Sequence, residues 1–276
     1  MMNLAPLMLY AAAMVAYAWH FAQRNAVVGR SATTLLVAAA LVHTFVIGME
    51  TMAIGNVPIA GATPAISTFV WLLALAYLYT EMTTDERAMG VFILPLLVML
   101  QAIPAFRPTP ETHSAVLQGP LFGIHVSSLL FAYASFALAC VIGITYVLLF
   151  KEIKAKHLGF FYARLPSLQV LDRMNQRAIV IGWIFLTVGM IVGGVWTAQA
   201  RGGYGAGDPR VQAMSIEDPK IFVALLCWVV YSFELFGARR IGWGGRRTAY
   251  LSLLGFVIVL LNFVPISYFL TKSHNF

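Results

Sequence analysis

The sequence predicts an all-α, polytopic integral membrane protein of about eight transmembrane helices with both termini on the periplasmic side, and three observations carry that reading. Hydrophobic residues make up 60% of the 276 residues and charged ones only 11%, a balance that no single water-soluble core accommodates. The apolar residues gather into runs near the roughly 20 residues needed to cross about 30 Å of hydrocarbon. These runs are continuously apolar and do not alternate, which favours helices over a barrel.

The first span, Leu4 to Phe21, has no basic lead-in and no small-residue cleavage site after it, so a retained helix is expected in place of a signal peptide. Ala32 to Ala53 follows, with His43 and Glu50 inside it. Ala65 to Tyr79 and Met89 to Phe106 form the third and fourth spans, and Leu121 to Phe150 the fifth. The segment 151–177 alternates leucine and phenylalanine with basic residues and is interrupted by Pro166, which predicts a cytoplasmic amphipathic loop lying at the headgroups. The sixth span, Ala178 to Ala200, carries Gly189, Gly193 and Gly194 as a small-residue ridge for close helix approach. After the polar loop 201–220, Asp218-Pro219 supplies an N-cap and a proline at the first helical position for the seventh span, Ile221 to Gly237. Thr248 to Leu270 is the eighth. No internal repeat or low-complexity tract divides residues 1–276, so one transmembrane domain is expected.

Orientation follows from the basic residues, since lysine and arginine of short loops stay in the cytoplasm. Loops one, three, five and seven hold 13 of the 18 basic residues, among them Arg24, Arg87, Lys151, Arg173 and Arg246. The opposite face, with Arg107, Arg201, Arg210, Lys220 and Lys272, is then periplasmic, and the expected location is a bacterial inner membrane. The net charge of +7 reads as a topology signal and a contact with anionic membrane lipid, not as a nucleic-acid surface.

Six histidines are the residues where chemistry can reside, because a neutral imidazole ligates iron and is costly unpaired in lipid. His20, His113 and His157 fall at interfaces or in loops. His43, with Glu50 two turns along a similar face, is either a helix-to-helix hydrogen-bonding pair or a weak candidate for a metal ligand or proton relay. The topology puts His125 at the outer start of span five and His274 just beyond the outer end of span eight. They can share a leaflet, and side chains on neighbouring helices 8–10 Å apart can grip an iron from two sides. An interface histidine and a tail residue is the alternative. Cys140 and Cys227 sit in apolar spans without a CxxC or CxxCH motif, so packing thiols are expected, with neither disulfide nor covalent haem attachment.

From about His43 onward the chain resembles the cytochrome c assembly superfamily, of the CcsA/CcmC/ResC type. The likeness is distributed over His43-Thr44-Phe45, Gly55-Asn56-Val57-Pro58, Ile124-His125-Val126-Ser127-Ser128, and Leu165-Pro166-Ser167-Leu168 with Leu171-Asp172. It continues in Arg177-Ala178-Ile179, Gly193-Gly194-Val195-Trp196, Gly242-Trp243 through Ala249, and the closing Lys272-Ser273-His274-Asn275-Phe276. The resemblance implies that His125 and His274 are the axial ligands of a non-covalent haem b at the periplasmic surface, bracketing a loop that is tryptophan-rich in the family. Trp196 and Tyr204 match aromatic positions around it, and Arg201 and Arg210 can pair with haem propionates.

Several family positions are altered here. Arg201, Gly205 and Gly207 occupy tryptophan positions of the loop, and Asn56 and Phe236 occupy histidine positions. The pattern is similar to a divergent branch of the HemX/YpjD type. The implied function is haem binding or handling in support of cytochrome maturation, without turnover chemistry, and with apocytochrome c or other assembly or respiratory subunits as partners. A structural or electron-relay subunit of a larger respiratory complex, or a small-molecule transporter with helices broken near Pro58, Pro104 and Pro265, are the alternatives.

Overall fold

The computed structural model describes residues 2–107, 119–156, 159–202, 219–243 and 245–261. Within them the chain is helical without strands: α1 (Leu4–Gln23), α2 (Ala26–Ile54), α3 (Ala62–Thr84), α4 (Gly90–Phe106), α5 (Pro120–Lys154), the short α6 (Phe160–Arg164), α7 (Leu168–Gly202), α8 (Pro219–Phe236) and α9 (Gly245–Leu261). A π-turn, Gly237–Ile241, extends α8. Six of these (α1, α2, α3, α5, α7, and α8 with its π-turn) are long and apolar enough to cross a membrane. α4 and the described part of α9, at 17 residues each, complete an eight-helix bundle.

Local signals in the sequence set several helix ends. The Asn25 side chain accepts hydrogen bonds from Val27 N and Val28 N at 2.8 and 3.4 Å, which starts α2 only two residues after α1 has closed on Arg24 at φ 54°. Gly55, at φ 83°, ends α2 in a left-handed conformation that glycine adopts without a Cβ clash. Pro120 opens α5 at a position where its missing N–H costs nothing.

Hydrogen bonds tie the helix ends into an antiparallel order. At one end Asn3 of α1 meets Glu50 of α2 and Gln101 of α4. At the other, Tyr17 of α1 and Thr33 of α2 bond to Glu81 of α3. In the second half, His125 near the start of α5 bonds to Gly189 in the C-terminal half of α7, and Asn175 near the start of α7 bonds to Ser252 of α9. One end of the bundle therefore carries His125, and the opposite end carries most of the basic side chains.

α5 is the axis, touching α3, α4, α6, α7 and α9. Its closest neighbour is α7, and glycine makes that approach possible, since small residues stand in for the hydrophobic drive that lipid does not supply. A Cβ on Gly182 would overlap the Phe136 ring, one on Gly189 would lie 2.7 Å from Leu129, and one on Gly193 would overlap the His125 imidazole. Gly194, expected in the ridge, faces open space, and Gly182 takes its place in the stripe.

The segment 151–177, expected as a single amphipathic loop, is divided among three elements. Lys151 and Lys154 end α5, Phe160–Arg164 forms α6, and α7 begins at Leu168, ten residues ahead of the predicted span. The reason lies in partners: Asp172 accepts from Thr248 and Gln176, and Asn175 pairs with Ser252, so polar residues that read as loop are satisfied within the bundle. α6 keeps an interfacial character, with Phe160 and Tyr162 exposed and the Arg164 guanidinium 4.9 Å from the Phe160 ring centroid.

Candidate functional site

The candidate site lies at the end of the bundle where α5 begins and α7 finishes. The residues facing α5 along this part of α7 are Gly189, Gly193 and Trp196, which share a stripe at helical spacing. The two glycines remove side-chain bulk where His125 crosses, and the imidazole fills that space.

His125 is half-buried, and its Nδ1 lies 2.7 Å from the Gly189 carbonyl oxygen. A carbonyl only accepts, so Nδ1 carries the proton and donates it. In the neutral imidazole the lone pair then stands on Nε2, which is the tautomer a metal-binding histidine uses when its other nitrogen is held by a backbone carbonyl. The ring is also clamped sideways: it stacks on Trp196 with centroids 6.2 Å apart and planes 17° from parallel, and Phe122 covers Trp196 at 5.2 Å. Trp196 is 2% exposed, and its indole N–H has no hydrogen-bond partner among the described residues. A buried donor of that kind is rare.

A cavity of about 450 Å³ lies beside the first turns of α5, lined by Asn56, Phe122, Ser127, Ser128, Phe131 and Phe185, among others. His125 is absent from that lining because it faces α7 from a different side of α5. The chemistry of the site therefore centres on the imidazole and not on the cavity.

The structure brings His125 and Trp196 together and puts Arg201 in the last turn of the same helix as Trp196. His274, Tyr204 and Arg210 lie outside the described residues, as do His113 and His157. Asn56, at the position where the resembled family carries a histidine, reaches the cavity, and Phe236 is exposed on α8.

His43 has a different setting. It is fully buried, its Nδ1 is 3.1 Å from the Tyr10 hydroxyl, and its Nε2 is 3.0 Å from the Ser67 hydroxyl. Both ring nitrogens therefore take part in a network that joins α1, α2 and α3. Ser67 donates onward to Asn3, which donates to Glu50. Cys140 and Cys227 are free thiols, partly and fully buried respectively.

Sequence reasoning missed Glu81 and Glu234, both 1% exposed, and the signal was present in each case as a lone acid within or just after an apolar run. Glu81 accepts from Tyr17 and Thr33. Glu234 accepts from Ser252.

The glycine clearance yields a direct prediction. Gly193→Ala puts a methyl group where the imidazole stands, so His125 must rotate away from the Gly189 carbonyl. Disturbing such an orienting contact typically costs 10–100-fold in affinity for the bound metal. Haem titration of Gly193→Ala beside Gly194→Ala, which has open space, checks this. Equal affinities for the two variants would remove the clamp from the account.

Comparison with known proteins gives a consistent result. The family model described as "Cytochrome C assembly protein" matches residues 1–274. Among similar proteins named "Cytochrome c biogenesis protein CcsA", one from Trieres chinensis is 24% identical over 84% of this chain and 81% of its own length. Another from Guillardia theta is 24% identical over 86% and 82%, and one from Prochlorococcus marinus (strain MIT 9303) is 24% identical over 88% and 83%.

Proposed function

Because the chain belongs to the cytochrome c assembly protein family, with a role in cytochrome c maturation in a membrane it crosses many times, we propose that it holds haem b non-covalently through His125 and His274. The observation that carries this reading is the Nδ1–H···O bond from His125 to Gly189, since it fixes the tautomer that offers Nε2 to a metal.

The residues of this chain divide the work by chemistry. His125 and His274 would hold the iron through their imidazole nitrogens. Trp196 covers the His125 ring, and its unpartnered N–H offers a hydrogen bond to a carboxylate. Arg201 and Arg210 are suited to charge-assisted bonds with propionates, and Tyr204 to ring contact. When bound, haem supplies an iron centre whose availability to an acceptor protein is the quantity being handled. The basic loops support an orientation with this end facing away from the cytoplasm, as in a bacterial inner membrane. The acceptor is an apocytochrome c or another assembly or respiratory subunit.

Three tryptophan positions of the family's loop are Arg201, Gly205 and Gly207 here, which leaves fewer aromatic faces to grip an exposed porphyrin. A holding or passing role fits that composition better than attachment of haem to an acceptor. The test is a reduced-minus-oxidised spectrum with a pyridine haemochrome assay on protein purified from haem-replete cells. A b-type spectrum extractable by acid solvent is expected. A colourless protein that also fails to take up added haem would overturn the reading.

A further inference from the structure

α8 is the span with the smallest buried share. Its buried side chains are Cys227, Tyr231 and Glu234, a stripe at i, i+4 and i+7 that seats the helix against its neighbours. Among the described residues, two of those three carry buried oxygens without a hydrogen-bond partner, the Tyr231 hydroxyl and Glu234 Oε2.

The other Glu234 oxygen accepts the Ser252 hydroxyl of α9 at 2.7 Å, and Asn175 of α7 donates to Ser252 at 2.9 Å. The Tyr231 ring lies flat on Phe136 of α5, 3.7 Å between centroids, and its hydroxyl end abuts Gly255, one turn along α9 from Ser252. Three helices thus present a carboxylate, a phenol, a serine hydroxyl and an amide oxygen at one buried junction. These are hard oxygen donors, the kind that suits protons and alkali ions and not transition metals.

Among the described residues no basic side chain forms an ion pair with this carboxylate. Among the described residues the ion pairs are Arg87 with Glu81 and with Asp85, far along the chain on α3 and its turn. The ionisable groups around Tyr231 and Glu234 are Asp172 on α7, Cys140 on α5 and Cys227 on α8. Arg177 of α7 has a buried Nη1 without a hydrogen-bond partner and forms no ion pair with Glu234 among the described residues. Arg246 and Arg247 of α9 lie over the rings of Phe150 and Trp243. An uncompensated carboxylate buried between helices is costly.

We propose that Glu234, with Tyr231, Ser252 and Asn175, forms a membrane-embedded binding site for one small monovalent cation, a proton or an alkali ion, between α7, α8 and α9. A single positive charge at Oε2 neutralises the carboxylate and engages its unmatched oxygen. Because this stripe is what α8 buries, occupancy of the site governs how firmly α8 is seated. α8 directly follows the polar segment 203–218, so the site ties the cation to the helix that carries that segment. The inference stands on the α7–α8–α9 junction and is independent of haem.

The test uses the full chain in lipid nanodiscs. Dicyclohexylcarbodiimide modifies protonated carboxyls in apolar surroundings, and peptide mass spectrometry locates the product. Modification of Glu234 is expected, suppressed by NaCl if the occupant is an alkali ion, or by raised pH alone if it is a proton. In parallel, thermal unfolding of wild type is expected to shift with NaCl or pH by ligand linkage, and Glu234→Gln, which keeps the Ser252 contact, is expected to lose that shift. Identical salt and pH responses of the wild-type and Glu234→Gln melts would overturn the proposal, whatever the labelling.

Discussion

His125→Ala is expected to purify with almost no haem and to recover a b-type spectrum when free imidazole is added. The imidazole is held on three sides: Nδ1 by the Gly189 carbonyl at 2.7 Å, one ring face by Trp196, and its edge by the gap that Gly193 leaves. A ligand prepared in that way loses little freedom on binding, so its removal forfeits an iron bond and the preorganisation together. Loss of a supporting contact alone costs about 10–100-fold, and loss of the ligand itself is expected to exceed that range. The space vacated between α5 and α7 is lined by glycine and Trp196, which is why a free imidazole can restore the spectrum. Haem content per protein, read before and after imidazole, measures both halves of the prediction. Unchanged haem content in His125→Ala would show that the Gly189 bond is purely structural.

Glu81→Ala carries the largest expected effect on stability. Glu81 is 1% exposed, accepts the Tyr17 hydroxyl at 2.6 Å and the Thr33 hydroxyl, and lies 4.0 Å from the Arg87 guanidinium. Truncation to alanine removes the Tyr17 hydroxyl's buried acceptor, while Thr33 keeps the Gly29 carbonyl and Arg87 keeps Asp85. Hydrogen bonds to charged groups contribute about 1.5–3 kcal/mol each, so with two of them to Glu81 a loss of about 3 kcal/mol is expected. Glu81→Gln keeps an acceptor for Tyr17 and is expected to lose less. Denaturant unfolding of the purified protein in mixed micelles checks the order. A Glu81→Ala variant within about 0.5 kcal/mol of wild type, the range of an ordinary surface change, would show that α1, α2 and α3 hold together without this cluster.

The fold was legible in the sequence where apolar runs and terminal signals agree. The helices contain the expected runs, except that Met89 falls just before α4 and only the part of the last run up to Leu261 is described, and Pro120 and Gly55 mark their helix boundaries as their backbone chemistry requires. The start of α7 was not legible. Asp172, Asn175 and Gln176 look like loop residues in one dimension, and only the partners on α9, Thr248 and Ser252, make them interior. Span three was expected to end at Tyr79 for the same reason, since Glu81 reads as a surface acid until Tyr17 and Thr33 are placed around it.

The candidate site was legible in part. His125 and Trp196 stand out as an imidazole and an indole at the ends of separate apolar runs, and α5 and α7 do bring them together. The bond to Gly189 was not readable, because its acceptor is a backbone carbonyl that carries no residue identity. The glycine stripe was only partly readable: Gly193 and Gly194 are adjacent in sequence, but a helix turns about 100° per residue, so one faces His125 and the other open space.

The central claim is that one iron is held between His125 and His274. Electron paramagnetic resonance on the oxidised, haem-loaded protein tests it most directly, with each of the six histidines changed to alanine in turn. The account predicts a low-spin bis-imidazole signal that disappears in His125→Ala and in His274→Ala and persists in the His20, His43, His113 and His157 variants. A signal that survives loss of either His125 or His274, or that depends on His43, would contradict it.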